Sequence, residues 1–320
     1  MKAVQPPLQR KTLKPCCCWR VKLTMAHKTK SSRWWRHHVG YPLEATFLFV
    51  IYGIFKALPL DAASALGGWI GRTVGPHLRR SRTVRRNLAC ALPELTQDHR
   101  EEILLGMWDN LGRVVAEYPH LDEIWDRTEV IGAETVHSLA NSKIPALFFS
   151  AHIGNWEINL MGATRNGLPV TAVYRRPNNP AVSRLIDQAR SVIGSQLVPK
   201  GRDGAKEVVA TLRNRGAVCM LIDQKMNDGI AVPFFGRNAM TAPAIAQLAY
   251  RYRCAVVPAV VERLEGTRFR LTISPPLELR ETGDLDTDVR TLMVRINALV
   301  EEWVRARPEQ WLWLHRRWPN

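Results

Sequence analysis

The sequence lacks the motifs that mark several common kinds of enzyme site. It contains no Gly-x-Ser-x-Gly elbow for a serine nucleophile, no His-Glu-x-x-His pair for zinc and no Cys-x-x-Cys pair. Three of the six cysteines stand in a row at 16–18, and Cys90, Cys219 and Cys254 are isolated in apolar surroundings. These absences argue against a zinc site, a disulfide framework and an acyl-enzyme intermediate, and they indicate a reducing compartment. We therefore expect neither a metal nor a cofactor.

Acidic residues are absent from the first 43 positions, where ten Lys and Arg stand. The chain carries a net charge of +16, so the remaining residues carry only +6. We expect residues 1–40 to form a basic, disordered tail. Such a tail can bind nucleic acid, or anionic lipid headgroups at about 1 kcal/mol per basic residue near a membrane. The apolar segment that follows favours the membrane, and we expect no nucleic-acid partner.

Long hydrophobic runs are also missing. The uncharged stretch 45–55 would cover about 16 Å as a helix, against ~30 Å for a bilayer core. Together with the weakly apolar residues up to Gly71 it could cross a bilayer, or it could lie in the interface; a buried core helix is the alternative. We expect residues 41–78 to anchor the chain to a membrane, with the basic residues before them on the cytoplasmic side.

One stretch, IPALFFSAHIGNWE at 144–157, joins an apolar run to polar side chains. Its first six residues predict a buried strand, His152 follows the strand, and Asn155 is a candidate cap for the next helix. A neutral imidazole, with an ordinary pKa near ~6.5, can take a proton from a hydroxyl when a partner fixes its tautomer. We expect Glu157 to be that partner. The alternative is a structural histidine beside a glutamate favoured by the helix dipole.

Strand and helix patterns alternate through the rest of the chain. Apolar runs predict strands, and amphipathic segments between them predict helices; the strands are 169–174, 217–222, 255–261 and 268–274, and the helices are 181–193, 203–214 and 241–252. Residues 120–143 are predicted to be a polar link. This pattern predicts an α/β domain at 79–320 with a mixed sheet flanked by helices.

Polar residues follow several of these strands, where ligands of such sheets bind. The segment RRPNNP follows one strand, the pair Asp-Gln follows another, and the loop VPFFG precedes a helix that is predicted to start at Thr241. The candidate residues are Arg175, Asn179, Asp223, Gln224, Gly236 and Thr241. An arginine fork suits a phosphate or an oxyanion. The alternatives are a solvated arginine, a capping aspartate and a core VPFF segment.

The C-terminus carries tryptophans interleaved with basic residues. An amphipathic helix runs to Arg307, and PEQWLWLHRRW follows it at 308–318. Such a segment suits a lipid or anionic headgroup surface, with Arg316 as a candidate contact. Packing of the tryptophans against the sheet is the alternative.

These segments together resemble the late (secondary) acyltransferases of lipid A biosynthesis, of the lauroyl and myristoyl transferase type. The resemblance covers about residues 41–318, and its most specific parts are HIGNWE, with its His-x4-Glu box, and PEQWLWLHRRW. It implies a fold similar to the glycerolipid acyltransferases, whose box ends in Asp where this sequence has Glu157. It also implies that Arg175 and Asp223 belong to the active site beside His152.

The resemblance further implies an enzyme on the cytoplasmic face of the bacterial inner membrane. Such an enzyme moves an acyl chain from a thioester on acyl carrier protein to a hydroxyl of an acylated lipid A precursor. We expect substrate contacts from the polar residues of the boxes and loops, namely Asn155, Asn179, Gln224, Gly236, Thr241 and Arg316.

The mechanism that fits these residues is general-base catalysis. Neutral His152 would take the proton from a 3-hydroxyl of a hydroxyacyl chain, Glu157 would fix the imidazole, and Arg175 would face the developing negative charge. Base assistance of this kind is worth ~10²–10⁴ in rate.

Two alternatives stay open. One is the same chemistry on another lipid, such as a lysophospholipid, an ornithine lipid or a phosphatidylinositol mannoside. The other is a non-catalytic protein that binds membranes or nucleic acid through its tail, which would have no need of polar residues at strand ends.

Overall fold

The computed structural model describes residues 34–318 of the chain. The predictions on the basic tail before Trp34 and on the cysteines at 16–18 lie outside the described residues. Contacts group Leu43–Asn320 into one compact unit. Helices from both sides of residue 78 pack together. The predicted division of the chain at residues 78 and 79 stays a prediction.

The described residues form helices and strands, which alternate from residue 128 to residue 221. The α-helices are α1 Tyr41–Ala57, α2 Leu60–Val74, α3 Ser81–Ala91, α4 Gln97–Glu117, α5 Leu121–Asp126, α6 Ala133–Ser142, α7 Ile158–Thr164, α8 Pro180–Arg190, α9 Arg202–Arg213, α10 Ala244–Tyr252 and α11 Leu285–Ala306. The strands are β1 Thr128–Ile131, β2 Ala146–Ser150, β3 Val170–Tyr174, β4 Gln196–Pro199, β5 Ala217–Leu221, β6 Ile230–Phe234, β7 Arg237–Thr241, β8 Ala255–Arg263 and β9 Phe269–Ile273.

Seven of these strands form one mixed sheet in the order β1-β9-β8-β2-β5-β3-β4. Strands β8, β2, β5, β3 and β4 are parallel, whereas β9 runs antiparallel to β8 and pairs in parallel with β1. The predicted α/β fold with a mixed sheet flanked by helices is confirmed. Strands β6 and β7 form a separate antiparallel hairpin.

Strand β2 lies at the centre of the sheet and is buried along its whole length. Its side chains alternate between the two faces: Leu147 and Phe149 join one apolar cluster, and Ala146 and Phe148 join the other. Helices α4, α10 and α11 contribute to the first cluster, and α5, α6 and α7 contribute to the second. An uncharged strand of this kind is stable only where both faces are covered.

The structure contains elements that the sequence patterns did not predict. The stretch 120–143 holds β1 and α6 instead of a polar link, and β4 forms a short strand at the edge of the sheet. Thr241 ends β7, so the following helix begins three residues later than predicted. These elements are short and half exposed, so the sequence shows neither an apolar run nor a sustained periodic pattern of apolar residues at their positions.

The first helical segment is the candidate membrane anchor. Residues His38–Ala57 make up one helix long and apolar enough to cross a membrane, the one such helix among the residues at 34–318. At ~1.5 Å per residue its 20 residues match a ~30 Å bilayer core. Pro59 separates this helix from α2, because proline lacks the N–H that helix continuation requires. The two apolar stretches therefore form separate helices and not one span.

Helix α2 packs closely against α4 through glycines. A Cβ atom on Gly71 would lie 2.1 Å from the Trp108 carbonyl oxygen, and one on Gly112 would lie 2.1 Å from the Gly67 carbonyl oxygen. Neither backbone can retreat from such a contact while the helices stay intact. The close crossing joins α2 to the helix α4 that packs against the sheet.

Candidate active site

His152 and Asp223 follow neighbouring strands and meet at the carboxyl edge of the sheet. Strands β2 and β5 pair in parallel with Ser150 opposite Leu221, which brings the residues two positions further on side by side. His152 Nδ1 donates to Asp223 Oδ1 at 2.7 Å, and the His152 backbone N–H donates to Oδ2 at 3.0 Å. The carboxylate thus holds the imidazole in the tautomer whose Nε2 carries the lone pair.

Burial and charge act in opposite directions on this pair. Burial alone would raise the pKa of Asp223, but the charge and hydrogen bonds of His152 and the Trp311 indole outweigh it and hold the pKa well below its usual range. Burial would lower the pKa of His152, but the charge and hydrogen bond of Asp223, together with the charge of Glu157, raise it above its ordinary value. The pair therefore favours an imidazolium next to a carboxylate once a proton arrives.

Glu157 does not contact His152 as the sequence led us to expect. Its carboxylate is 2% exposed, pairs with Arg190 (Nε to Oε2, 2.8 Å) and accepts a hydrogen bond from the Tyr118 hydroxyl at 2.7 Å. The expectation that Glu157 fixes the imidazole is corrected here, because the turn after β2 directs it toward α8 and leaves Asp223 as the partner. Glu157 acts on the imidazole through its charge alone.

Gly154 shapes the turn that carries His152. It has a φ of +57°, and a Cβ atom there would lie 2.5 Å from the Val261 carbonyl oxygen of β8. Only glycine meets both conditions without strain. The turn can therefore lie flat against the sheet.

The C-terminal segment closes the other side of the site. Trp311 forms an antiparallel bridge with Ile153, and its indole Nε1 donates to Asp223 Oδ2 at 2.8 Å. Trp311, Trp313 and Trp318 are all buried. Packing against the sheet, and not a lipid surface, accounts for these tryptophans.

Gln224 and His315 complete the surroundings of the imidazole. Gln224 Nε2 lies 3.4 Å from His152 Nε2 and 3.2 Å from His315 Nε2. The two imidazole centroids are 5.8 Å apart. Gln224 was predicted as a site residue, whereas the sequence patterns missed His315, whose position became evident only from the packing of the tryptophans around it.

Three further predicted residues have different surroundings. Arg175 is exposed directly after β3, the strand next to β5. Asn155 is buried and donates to Glu117 Oε2 at 2.9 Å. Asn179 is buried, caps α8 and donates to Glu44 Oε2 at 3.1 Å. The two asparagines therefore serve the fold here, and the predicted substrate contacts through them remain predictions.

The remaining predicted residues belong to the β6–β7 hairpin and the C-terminus. Phe235 and Gly236 form the two-residue hairpin turn, and both have a positive φ, +53° and +66°, as a type I′ turn requires. Thr241 is buried and accepts a hydrogen bond from Arg317 at 2.8 Å. Arg316, the predicted substrate contact, is exposed, and its neighbour Arg317 is the buried one.

The arrangement suits proton abstraction from a hydroxyl. An aspartate fixes one nitrogen of a histidine, and the other nitrogen, at 3.4 Å from Gln224 Nε2, carries the lone pair that can act as a base. Among residues 34–318 no group of three or more His, Cys, Asp and Glu side chains has the geometry of a metal site.

Comparison with protein families identifies the chain. Residues 33–320, nine-tenths of the sequence, match the family model for bacterial lipid A biosynthesis acyltransferases. This chain belongs to that family. It is therefore an acyltransferase, and the resemblance found in the sequence is confirmed.

Curated relatives of this acyltransferase agree with the family. It is 27% identical over 273 residues to the lipid A biosynthesis lauroyltransferase of Escherichia coli (strain K12), covering 81% of this chain and 86% of that protein. It is 28% identical over 258 residues to the myristoyltransferase of the same organism, covering 78% and 77%. A phosphatidylinositol mannoside acyltransferase of Mycolicibacterium smegmatis is 23% identical over 278 residues, covering 83% and 88%.

Proposed function

We propose that this acyltransferase moves an acyl chain from a thioester on acyl carrier protein to a hydroxyl of a hydroxyacyl chain on a lipid A precursor. The observation that carries the proposal is the His152–Asp223 pair at the carboxyl edge of the sheet, in a chain that matches the lipid A family over residues 33–320. We place the reaction at the cytoplasmic face of the bacterial inner membrane.

In the proposed reaction His152 is the general base. Its Nε2 takes the proton of the acceptor hydroxyl as that oxygen attacks the thioester carbon, and Asp223 stabilises the imidazolium. The tetrahedral intermediate then expels the thiolate of acyl carrier protein, and Nε2 gives the proton to that thiolate. Asp223 replaces Glu157 as the orienting carboxylate, while Glu157 adds a more distant negative charge.

Two arginines support recognition of a phosphorylated acceptor. Arg175 is exposed at the end of the strand beside β5, and Arg80 lies near enough to His315 for its charge to lower the pKa of that imidazole, after burial and His152. Arginine suits phosphate recognition through its planar fork. We propose that these arginines face the headgroup of the lipid acceptor.

An apolar surface supports membrane attachment. Large apolar side chains on α1 and α2 are exposed, namely Leu43, Phe47, Phe49, Val50, Ile54, Leu66, Trp69, Ile70 and Val74. Exposed apolar surface of this extent marks a contact with lipid or protein. We propose that it lies in the membrane and brings the site to the level of the acyl chains.

The similarity to a phosphatidylinositol mannoside acyltransferase supports a second acceptor class. The experiment incubates purified full-length protein in detergent micelles with an acyl carrier protein thioester and one of three acceptors: a lipid A precursor, a lysophospholipid or a phosphatidylinositol mannoside. Mass spectrometry is expected to show acylation of the lipid A precursor, and its absence with His152→Ala. Acylation of another acceptor alone would overturn the choice of lipid A, and acylation of none would overturn the proposal.

A further inference from the structure

The amide of Gln224 lies between two imidazoles. Its Nε2 atom is 3.4 Å from His152 Nε2 and 3.2 Å from His315 Nε2. An amide NH₂ group has two hydrogens to donate and no lone pair to offer. With the amide in this orientation the Nε2 atoms of both rings accept, so each ring is neutral with its proton on Nδ1.

Independent contacts agree with this assignment. The bond from His152 Nδ1 to Asp223 places the proton of that ring away from the amide. Burial lowers the pKa of His315, and the charge of Arg80 lowers it further, which keeps that ring neutral. The two accepted hydrogen bonds use both amide hydrogens in the free enzyme.

The two contacts of the amide differ in strength. A separation of 3.4 Å is at the limit of a hydrogen bond, whereas 3.2 Å is closer to the normal range. A substrate hydroxyl that donated to His152 Nε2 within the normal hydrogen-bond range would displace the amide from that nitrogen. The amide keeps its contact with His315, and one N–H becomes available beside the attacking oxygen.

We propose that Gln224 is the donor that stabilises the oxyanion of acyl transfer, and that His315 is the residue that positions it. This inference rests on the proposed function. The hydroxyl O–H bond breaks, its proton goes to His152 Nε2, and its oxygen forms the new C–O bond. The carbonyl π electrons move onto the thioester carbonyl oxygen, and this oxyanion accepts a hydrogen bond from the Gln224 N–H. Collapse restores C=O, breaks C–S, and the thiolate takes the proton from Nε2.

The position of His315 is fixed by its backbone. Asn87 Nδ2 donates to the carbonyl oxygens of Trp313 at 2.7 Å and His315 at 2.6 Å. Asn87 is buried, at 3% exposure. Asn87 thus fixes the backbone that carries the His315 ring, and a fixed acceptor is what a preorganised donor requires.

The test compares Gln224→Met, which keeps side-chain length and loses the donor, with Gln247→Met, the same change on the exposed face of α10. Full-length protein in micelles is assayed with a lauroyl thioester of acyl carrier protein, both for transfer to a lipid A precursor and for hydrolysis without acceptor. Loss of one oxyanion donor lowers kcat by about 10²–10³. We expect that loss in both reactions for Gln224→Met with KM unchanged, and wild-type rates for Gln247→Met.

The positioning role of His315 is tested by a double-mutant cycle. His315→Phe removes the acceptor and is expected to lower kcat several-fold in the wild type but not in the Gln224→Met background. His315→Gln places an amide oxygen near the position of Nε2 and is expected to restore most of the rate. A loss that persists in the Gln224→Met background would show a structural role and overturn the positioning claim.

Other results would contradict the donor role. A kcat near wild type for Gln224→Met, or a raised KM alone, would leave Gln224 as a binding residue only. Histidine ¹⁵N shifts that place the proton of His315 on Nε2 would reverse the amide and have the same consequence. If the wild type hydrolyses the thioester but transfers nothing, the choice of a lipid A acceptor is overturned and the Gln224 test still applies. If the wild type catalyses neither reaction, the donor role and the proposed function are both overturned.

Discussion

At the residue scale the chemistry depends on which carboxylate touches the imidazole. The His-x4-Glu spacing suggested Glu157, but the strand register brings Asp223 to the ring and sends Glu157 to Arg190. Two acids thus divide two tasks. Asp223 fixes the tautomer of the base. Glu157 forms a buried ion pair with Arg190, and its negative charge still raises the pKa of His152.

The pH dependence of kcat/KM should report on this pair. The base must be neutral in the free enzyme, so activity is lost as pH falls through the pKa of His152. Because Asp223 and Glu157 raise that pKa against the effect of burial, we expect the acid limb above the ~6.5 of a free histidine. Removing the charge in Asp223→Asn should move the limb of the residual activity to lower pH. A limb that moves to higher pH, or does not move, would contradict this coupling.

At the scale of elements, the chain order of the strands was predictable and their neighbours were not. Apolar runs indicated β2, β3, β5, β8 and β9, and the residues after them were sound candidates for a site. In the sheet β2 lies beside β5, and β3 lies on the far side of β5, an order that the chain order of the strands does not give. The sequence patterns therefore predicted His152 and Asp223 as site residues, but they predicted Glu157 and not Asp223 as the partner of the histidine.

The missed parts of the site share a physical cause. His315 belongs to a segment without helical or strand periodicity, held by Trp311 and Asn87. Arg190 is an ordinary residue at the end of an amphipathic helix until the fold brings Glu157 to it. Contacts of this kind depend on tertiary packing, which single-sequence periodicity does not encode.

The α2–α4 crossing leads to a prediction about stability. Gly71→Ala places a methyl group against the Trp108 carbonyl and is expected to cost about 1–3 kcal/mol, because the helices must separate. Gly53→Ala on exposed α1 meets no atom within 4 Å and serves as the control, with no loss expected. Thermal unfolding in micelles measures both. Equal melting temperatures for wild type and Gly71→Ala would argue against the close crossing.

At the scale of the whole molecule, the exposed apolar surface of α1 and α2 adjoins the arginine-bearing segment that begins at Arg79. Apolar side chains extend to Leu78, and exposed arginines follow at once. This succession matches the order of acyl chains and anionic headgroups in a membrane. The site, near Arg80 through His315, would then face the lipid headgroups.

Membrane binding tests this arrangement. The double substitution Phe47→Glu and Val50→Glu places two charges on the exposed face of α1 and is expected to move the protein from the vesicle-bound to the free fraction in flotation with anionic vesicles. Leu285→Glu is the control, because Leu285 is 57% exposed at the start of α11, in a different element. Equal flotation of the double variant and the wild type would place the membrane contact elsewhere.

The most direct measurement compares Asp223→Asn with Glu157→Gln in the same thioester transfer assay. We predict that Asp223→Asn lowers kcat by about 10²–10⁴ and leaves the fold intact. The imidazole loses the carboxylate that fixes its tautomer and the negative charge that stabilises the imidazolium. We predict that Glu157→Gln costs about 3 kcal/mol of stability, because Arg190 is left unpaired, with a smaller loss of kcat. Near-normal turnover by Asp223→Asn together with a silent Glu157→Gln enzyme of wild-type stability would contradict the account.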